Sequence, residues 1–382
     1  MKLLKDLTKK ELEGKKVLVR VDFNVPVEGN HIKEAFRIRA AVPTINYLIR
    51  NGAQVILASH ITDTNTFSPI LDEIIEILGQ KVILLDGIGE EALTRGWELS
   101  QLLMYDNLRR WPGEEANDSE FAKQLAQGID LYVNDAFAVA HRQHASVVAI
   151  TKQLPSCAGF LIKSETEHLT KAVTASAKGK VLLLGGAKIG TKLPVIKNFL
   201  DKAEWILVGG ALVNNFYKYH GLEVGKSKVD DEALDVLKDL PRKNIFIAED
   251  LVVSEDATGN AYIHIVGEKG VSGDEMILDI GPATSKHYAE IIAQAQMVIW
   301  NGPMGMFEVS EFAGATSIVA HAVAKAAFSI VGGGDTIEAI NQLGLQDTFT
   351  YVSTGGGAML DFLGGIRLPA LEALGYYGEI KN

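Results

Sequence analysis

Ser329-Ile330-Val331-Gly332-Gly333-Gly334-Asp335-Thr336 holds the fold of this chain in miniature. A short run of consecutive apolar residues suits a strand buried on both faces, because a strand with one wet face would alternate. Three glycines end the run, and Asp335 and Thr336 stand where a helix would begin. Runs of the same kind recur at Val17–Val21, Val55–Ala58, Val82–Leu85, Leu131–Val133, Val181–Leu184, Ile206–Val208, Ile245–Ala248, Met276–Leu278, Met297–Trp300 and Tyr351–Ser353. Segments of helical period separate most of them, such as Ala40, Ile45, Leu48 and Ile49, or Ile70, Leu71, Ile74, Ile75 and Leu78. Strand and helix in alternation predict an α/β protein with parallel sheets.

At 382 residues the chain is long enough for two domains, each with its own core. A long helical stretch from Gly159 to about Ala177 is placed to bridge them. Hydrophobic residues at 47% and charged residues at 22% exclude a mostly disordered or collagen-like chain. A net charge of -11 disfavours nucleic acid or an anionic membrane as the main partner. Cys157 is the single cysteine, so no intramolecular disulfide forms. The opening residues lack the apolar core of a signal peptide, and no apolar run reaches the roughly 18 residues of a membrane span. A soluble, cytoplasmic protein is expected.

Arginine and glycine are distributed unequally. Of ten arginines, eight (Arg20, Arg37, Arg39, Arg50, Arg95, Arg109, Arg110 and Arg142) precede residue 150, and Arg242 and Arg367 follow it. The guanidinium is a rigid fork for carboxylate and phosphate. Glycine clusters crowd the second half instead: Gly185-Gly186, Gly209-Gly210, Gly302 with Gly305, Gly332 to Gly334, and Gly355 to Gly357. Each follows a strand and precedes a possible helix, where bare N–H groups and the helix dipole favour anions. Asp335 is placed to hold Mg²⁺ beside phosphates, although an N-cap aspartate would read the same way. In the first half, Asp22 and Asn24 end the first strand, Arg37 and Arg39 open the next helix, His60 ends the second strand, and Asn134, Asp135, His141 and Arg142 follow a fourth strand end, where α/β sheets place ligands. The first half is therefore expected to bind a small anion and the second a nucleotide. Two apparent motifs are discounted. Gly221 to Ser227 is one residue short of a phosphate-binding loop, and Gly87-Ile88-Gly89 is followed by Glu90 and Glu91, which would repel a pyrophosphate.

The strings VRVDFNVP (19–26), RIRAAVPTI (37–45), DNLRRWPGEEAND (106–118), YVNDAFAVAHRQHAS (132–146), LGGAKIGTK (184–192), DIGPAT (279–284), IWNGPMGMFE (299–308), IVGGGDT (330–336), STGGGAML (353–360) and LPALEAL (368–374) resemble, in order, those of the phosphoglycerate kinases. The resemblance implies a bilobal, hinge-bending kinase of two Rossmann-like three-layer lobes. An N-terminal lobe (1–160) would take 3-phosphoglycerate, a linking helix (161–177) would follow, a C-terminal lobe (178–365) would take the magnesium nucleotide, and a segment (366–382) would return to the first lobe. By motif position, Asp22, Asn24, Arg37, His60, Arg109 and Arg142 correspond to the phosphoglycerate site. Lys188, Lys192, Gly209, Gly210, Ala211, Asn301, Glu308, Gly333, Gly334, Asp335 and Thr336 correspond to the nucleotide site, with Asp335 as metal ligand. Arg37, Lys192 and the backbone of Gly355, Gly356 and Gly357 would stabilise the transferring phosphoryl group. The partners implied are 3-phosphoglycerate, 1,3-bisphosphoglycerate, ATP and ADP, with Mg²⁺, and a monomer is expected.

Two departures stand out. The family histidine matched by His60 is normally followed by Leu-Gly-Arg-Pro, whereas this chain has Ile61-Thr62-Asp63-Thr64, an acid where a substrate-binding arginine is expected. Arg110 replaces the usual phenylalanine after the arginine matched by Arg109. A nucleotide-binding paralogue with a weakened substrate site is the alternative. The intact Arg37, Arg109 and Arg142 speak against it, because a lapsed site has no chemical need for a basic cluster.

Overall fold

The computed structural model describes residues 1–231, 234–238, 240 and 243–378. Arg242 and the last four residues of the expected returning segment lie outside the described residues. The chain forms two compact units, one of Met1–Glu167 with the segment from Arg367 onward, the other of His168–Ile366.

In the first unit the strands are β1 (Lys16–Arg20), a small hairpin of β2 (Val27–Glu28) and β3 (His31–Ile32), β4 (Gln54–Ala58), β5 (Ile83–Leu85), β6 (Leu102–Tyr105), β7 (Leu131–Asn134) and β8 (Ser156–Ala158). Six of them form a parallel sheet in the order β5-β6-β4-β1-β7-β8. Val17, Val19, Val55 and Leu57 pack on one face with Ile38, Ile45 and Leu48 of the helix Phe36–Arg50 and Ile74 of the helix Leu71–Leu78. Leu18, Ile56 and Leu103 pack on the other with Leu93, Phe121 and Leu125 of the helices Glu90–Trp97 and Ser119–Ala126. Covered on both faces, the sheet needs apolar residues at every strand position, which accounts for the unbroken runs.

The second unit repeats the plan. Its strands are β9 (Lys180–Leu184), β10 (Trp205–Val208), β11 (Ile245–Phe246), β12 (Asp250–Ser254), β13 (Ile263–Gly267), β14 (Met276–Ile280), β15 (Met297–Asn301), β16 (Ser329–Gly332) and β17 (Tyr351–Ser353). A parallel sheet runs β11-β10-β9-β15-β16-β17, and β13-β12-β14 form a separate antiparallel sheet. In both parallel sheets the chain builds outward to one side of its first strand and then crosses to the other. The strand order thus reverses between β1 and β7 and between β9 and β15, leaving a crevice at the carboxyl ends.

Several expectations need correction. Met276–Leu278 belongs to the antiparallel sheet, and its strand alternates in burial as one wet face requires. Only Ile245 and Phe246 of the run 245–248 pair, at a sheet edge. The strands β2, β3, β6, β8, β12 and β13 lie outside the apolar runs that predict strands. Leu102-Leu103-Met104-Tyr105 is fully buried, yet without β-branched residues its short run does not distinguish strand from helix. The mid-chain helix spans Phe160–Thr174 and passes from one unit to the other after Glu167.

Candidate functional site

At the carboxyl edge of the first sheet, β1 delivers Asp22 and Asn24, β4 delivers His60, β6 leads to Arg109, and β7 leads to Arg142. Arg37, in the first turn of the helix Phe36–Arg50, lies 3.2 Å from Asp22 and donates to the carbonyl of Asn24 at 2.9 Å. Asp22 is buried, 4.0 Å from His60 Nδ1. His60 is pushed down to about 2, first by burial and then by the positive charges of Arg20, Arg109 and Arg142. That shift marks a convergence of cations on one buried, neutral imidazole. Arg109 is itself held below the ordinary arginine range by burial, with Glu115, 3.1 Å away, opposing the shift.

The loop carrying the unusual acid is braced internally. Asp63 Oδ2 accepts from the amide of Val27 at 3.0 Å, and the amide and hydroxyl of Thr62 donate to Asn24 Oδ1 at 2.9 and 2.8 Å. Arg110, partly exposed, donates to Asp106 at 2.6 Å and lies over the Trp111 ring. Its charge is already matched by a neighbouring carboxylate.

In the second unit the loops after β9, β10 and β15 meet. Gly186 N–H donates to the Pro303 carbonyl at 2.8 Å and Gly210 N–H to the Met304 carbonyl at 2.7 Å. A Cβ on Gly185 would lie 2.0 Å from the Pro303 carbonyl oxygen, so the close approach requires glycine. The helices Gly334–Gln342 and Gly356–Leu363 start at the ends of β16 and β17, and their N-termini adjoin, since a Cβ on Gly356 would be 3.9 Å from Gly333 Cα. Among the described residues outside its own helix turn, nothing lies within 4 Å of a Cβ placed on Gly334, so that first turn opens outward. Thr336 Oγ1 accepts from Gly302 N–H at 2.7 Å, and Asn301 Nδ2 is buried with no hydrogen-bond partner among the described residues. Lys192 is only 6% exposed, and burial pushes it down to about 8, with Lys188 adding to the shift and Asp335 opposing it. It stays largely charged at neutral pH. Two helix N-termini, a buried lysine and glycine-lined loops make a site for a polyanion. Among the described residues no group of three or more His, Cys, Asp or Glu side chains is arranged to hold a metal ion.

A model of the phosphoglycerate kinases matches residues 4–366. The chain belongs to the phosphoglycerate kinase family. It is 42% identical to a phosphoglycerate kinase of Prochlorococcus marinus (strain MIT 9515), over 97% of this chain and 98% of the relative. A phosphoglycerate kinase of Dictyoglomus turgidum is also 42% identical, over 98% of both chains. Among solved structures, the phosphoglycerate kinase from Coxiella burnetii superposes with a TM-score of 0.83 at 35% identity, and that from Pyrococcus horikoshii OT3 with 0.86 at 32%, each over 98% of both chains. A family member is a phosphotransferase, which fits two anion sites on separate sheets.

The residues expected by motif position fall into these two groups. Asp22, Asn24, Arg37, His60, Arg109 and Arg142 gather at the first carboxyl edge. Lys188, Lys192, Gly209 to Ala211, Asn301, Gly333 to Thr336 and Gly355 to Gly357 gather at the second, while Glu308 is exposed on the loop after β15. The fold also brings Arg20, Glu114, His144 and Ser146 to the first site, although no motif position marks them. Arg20 carried a usable signal, because a charge inside an otherwise apolar buried strand demands partners.

Proposed function

We propose that this chain catalyses reversible phosphoryl transfer between 1,3-bisphosphoglycerate and ADP, giving 3-phosphoglycerate and ATP, a step of glycolysis and gluconeogenesis. The observation that carries the assignment is the gathering of Asp22, Asn24, Arg37, His60, Arg109 and Arg142 at one carboxyl sheet edge, with Arg20 Nη2 3.2 Å from His60 Nδ1 and Arg37 3.2 Å from Asp22. It is suited to a small polyanion with a carboxylate and a phosphate. In this reading residues 1–160 form the substrate lobe, 161–177 the linking helix, 178–365 the nucleotide lobe and 366–382 a segment returning to the first.

The nucleophile in the ATP-consuming direction is a substrate carboxylate with an ordinary pKa near about 4, already ionised at neutral pH, so no general base is needed. Catalysis is then positioning and charge stabilisation. Arg37 would neutralise charge on the transferring group, Lys192 would bind the nucleotide phosphates, and the amides at Gly355 to Gly357 would receive the developing oxyanion. Lys188 would assist at the phosphates, Gly209 to Ala211 would border the base and Glu308 would bind the ribose. A lone carboxylate on a helix N-terminus suits Mg²⁺ that arrives coordinated by nucleotide phosphates, because this ion is commonly held by one or two carboxylates plus phosphate. Asp335 would hold it, and the metal would supply neutralisation of phosphate charge.

Groups from both units are needed, so binding of both ligands would draw the lobes together and exclude water that would otherwise hydrolyse the acyl phosphate. Small-angle scattering tests this, since an unchanged radius of gyration on adding both ligands refutes closure. Among the described residues no helix is long and apolar enough to cross a membrane. A cytoplasmic monomer without nucleic-acid partners completes the proposal. The deciding experiment measures ATP formation from 1,3-bisphosphoglycerate alongside ADP binding. Tight ADP binding without turnover would instead favour the nucleotide-binding paralogue.

A further inference from the structure

The guanidinium of Arg20 is wholly buried, and each of its nitrogens is directed by a neighbour. Nε–H donates to Ser146 Oγ at 2.8 Å, Nη1 donates to the carbonyls of Val21 and Ala58, and Nη2 lies 3.2 Å from His60 Nδ1. Arginine has donors only and keeps its charge in proteins, so Nδ1 of His60 has to accept. An accepting Nδ1 leaves the ring's single proton on Nε2. A doubly protonated ring would turn Nδ1–H against the Arg20 donor 3.2 Å away, and burial with the neighbouring guanidiniums pushes His60 well below the ordinary histidine range. Asp22 Oδ1, at 4.0 Å from Nδ1, is too far to compete for a proton there.

The order of donors is set one step further back. Ser146 Oγ–H donates to Glu114 Oε1 at 2.6 Å, while the Ser146 amide donates to Glu114 Oε2 at 2.9 Å. A hydroxyl has one proton, and committing it to the buried carboxylate leaves only lone pairs facing Arg20 Nε–H. Every bond in the chain therefore has one permitted direction: Ser146 to Glu114, Arg20 to Ser146, Arg20 to His60. Tyr132 holds the same turn by donating to the Ser146 carbonyl at 2.7 Å. No hydrogen bond among the described residues engages His60 Nε2.

We propose that Glu114, Ser146 and Arg20 are positioning residues that hold His60 in its Nε2–H tautomer, making it a neutral, directional hydrogen-bond donor to an oxygen of the anionic ligand. The ligand half of this inference rests on the reading of the cluster as the phosphoglycerate site; the tautomer half does not. In this division of labour the arginines supply attraction, which is largely insensitive to orientation, and His60 supplies register. A cationic histidine in the same place would add attraction but would turn Nδ1–H against Arg20.

The test uses the full chain with ¹⁵N-labelled histidine. Long-range ¹⁵N–¹H correlation at pH 7 reads the tautomer directly, with His60→Asn assigning the resonance. The wild type should show a protonated Nε2 and an unprotonated Nδ1, and adding 3-phosphoglycerate should shift the Nε2 signal. Ser146→Ala removes the acceptor of Arg20 Nε–H. It should mix in the other tautomer and raise KM for 3-phosphoglycerate about tenfold, with KM for MgATP unmoved. Glu114→Gln should act the same way, and the double variant should cost no more than Ser146→Ala alone, since the groups act in series. An Nδ1–H or doubly protonated ring in the wild type overturns the proposal, and that spectrum requires no variant to fold. A correct tautomer whose Nε2 signal ignores 3-phosphoglycerate overturns the ligand role and the substrate reading, while the positioning chain stands.

Discussion

Gly210→Ala tests why the second unit uses paired glycines. Gly210 has φ +59°, and a Cβ there would lie 2.4 Å from the Gly186 nitrogen and 2.8 Å from the Pro303 carbonyl oxygen. Both are backbone atoms, and they are the two ends of the 2.8 Å Gly186–Pro303 hydrogen bond, so neither can rotate away. Left-handed backbone costs alanine about 1–2 kcal/mol, displacement of packed atoms about 1–3, and loss of one hydrogen bond about 1. Together these predict a loss of about 3–6 kcal/mol, a fall in Tm of roughly 6–24 °C for a unit of this size. Differential scanning calorimetry with and without ADP measures it. Gly334→Ala is the control, because among the described residues outside its own helix turn no atom lies within 4 Å of its Cβ, and its φ is not positive. It should keep stability within about 0.5 kcal/mol yet weaken nucleotide binding if phosphate approaches that turn. A Gly210→Ala protein as stable as the wild type would refute the close-approach argument.

Lys192→Met should abolish at least about a hundredfold of kcat while raising Tm at pH 7. Burial holds the folded lysine at about 8, below its unfolded value of 10.5, so the charge costs on the order of 3 kcal/mol at any pH below 8. That penalty disappears as pH rises from 8 to 10.5, and calorimetry across this range should see the stabilisation of the variant fade. Asp335→Ala should remove most Mg²⁺-dependent turnover with an unchanged Tm, since the side chain is exposed and leaves no cavity; near wild-type kcat would refute its metal role. Replacing Thr62-Asp63-Thr64 by Gly-Arg-Pro should lower KM for 3-phosphoglycerate about tenfold by adding a charge-assisted contact. Arg110→Phe should change that KM by less than about twofold, because Asp106 already engages the guanidinium; a larger rise would show that Arg110 substitutes for the absent arginine.

Alternation of apolar runs with helical segments determined the α/β class, because strands covered on both faces have no polar position to spare. Ser329–Val331 with its glycines and the arginine-rich first half likewise pointed to two candidate anion sites, since close backbone approach and forked cations have few substitutes. Legibility stopped where partners come from distant segments. Leu102–Tyr105 lacked the β-branched residues that separate strand from helix, and only its pairing with β4 and β5 made it a strand. Asp63 looked like an intruding charge, but the backbone of Val27, 36 residues earlier, accounts for it. Arg20, Ser146 and Glu114 are scattered over three elements, and their hydrogen-bond directions exist only once the fold has brought them within bonding distance. Composition and period report what a residue prefers; which donor faces which acceptor is decided by geometry, because a hydrogen bond depends on position and angle over a few tenths of an ångström.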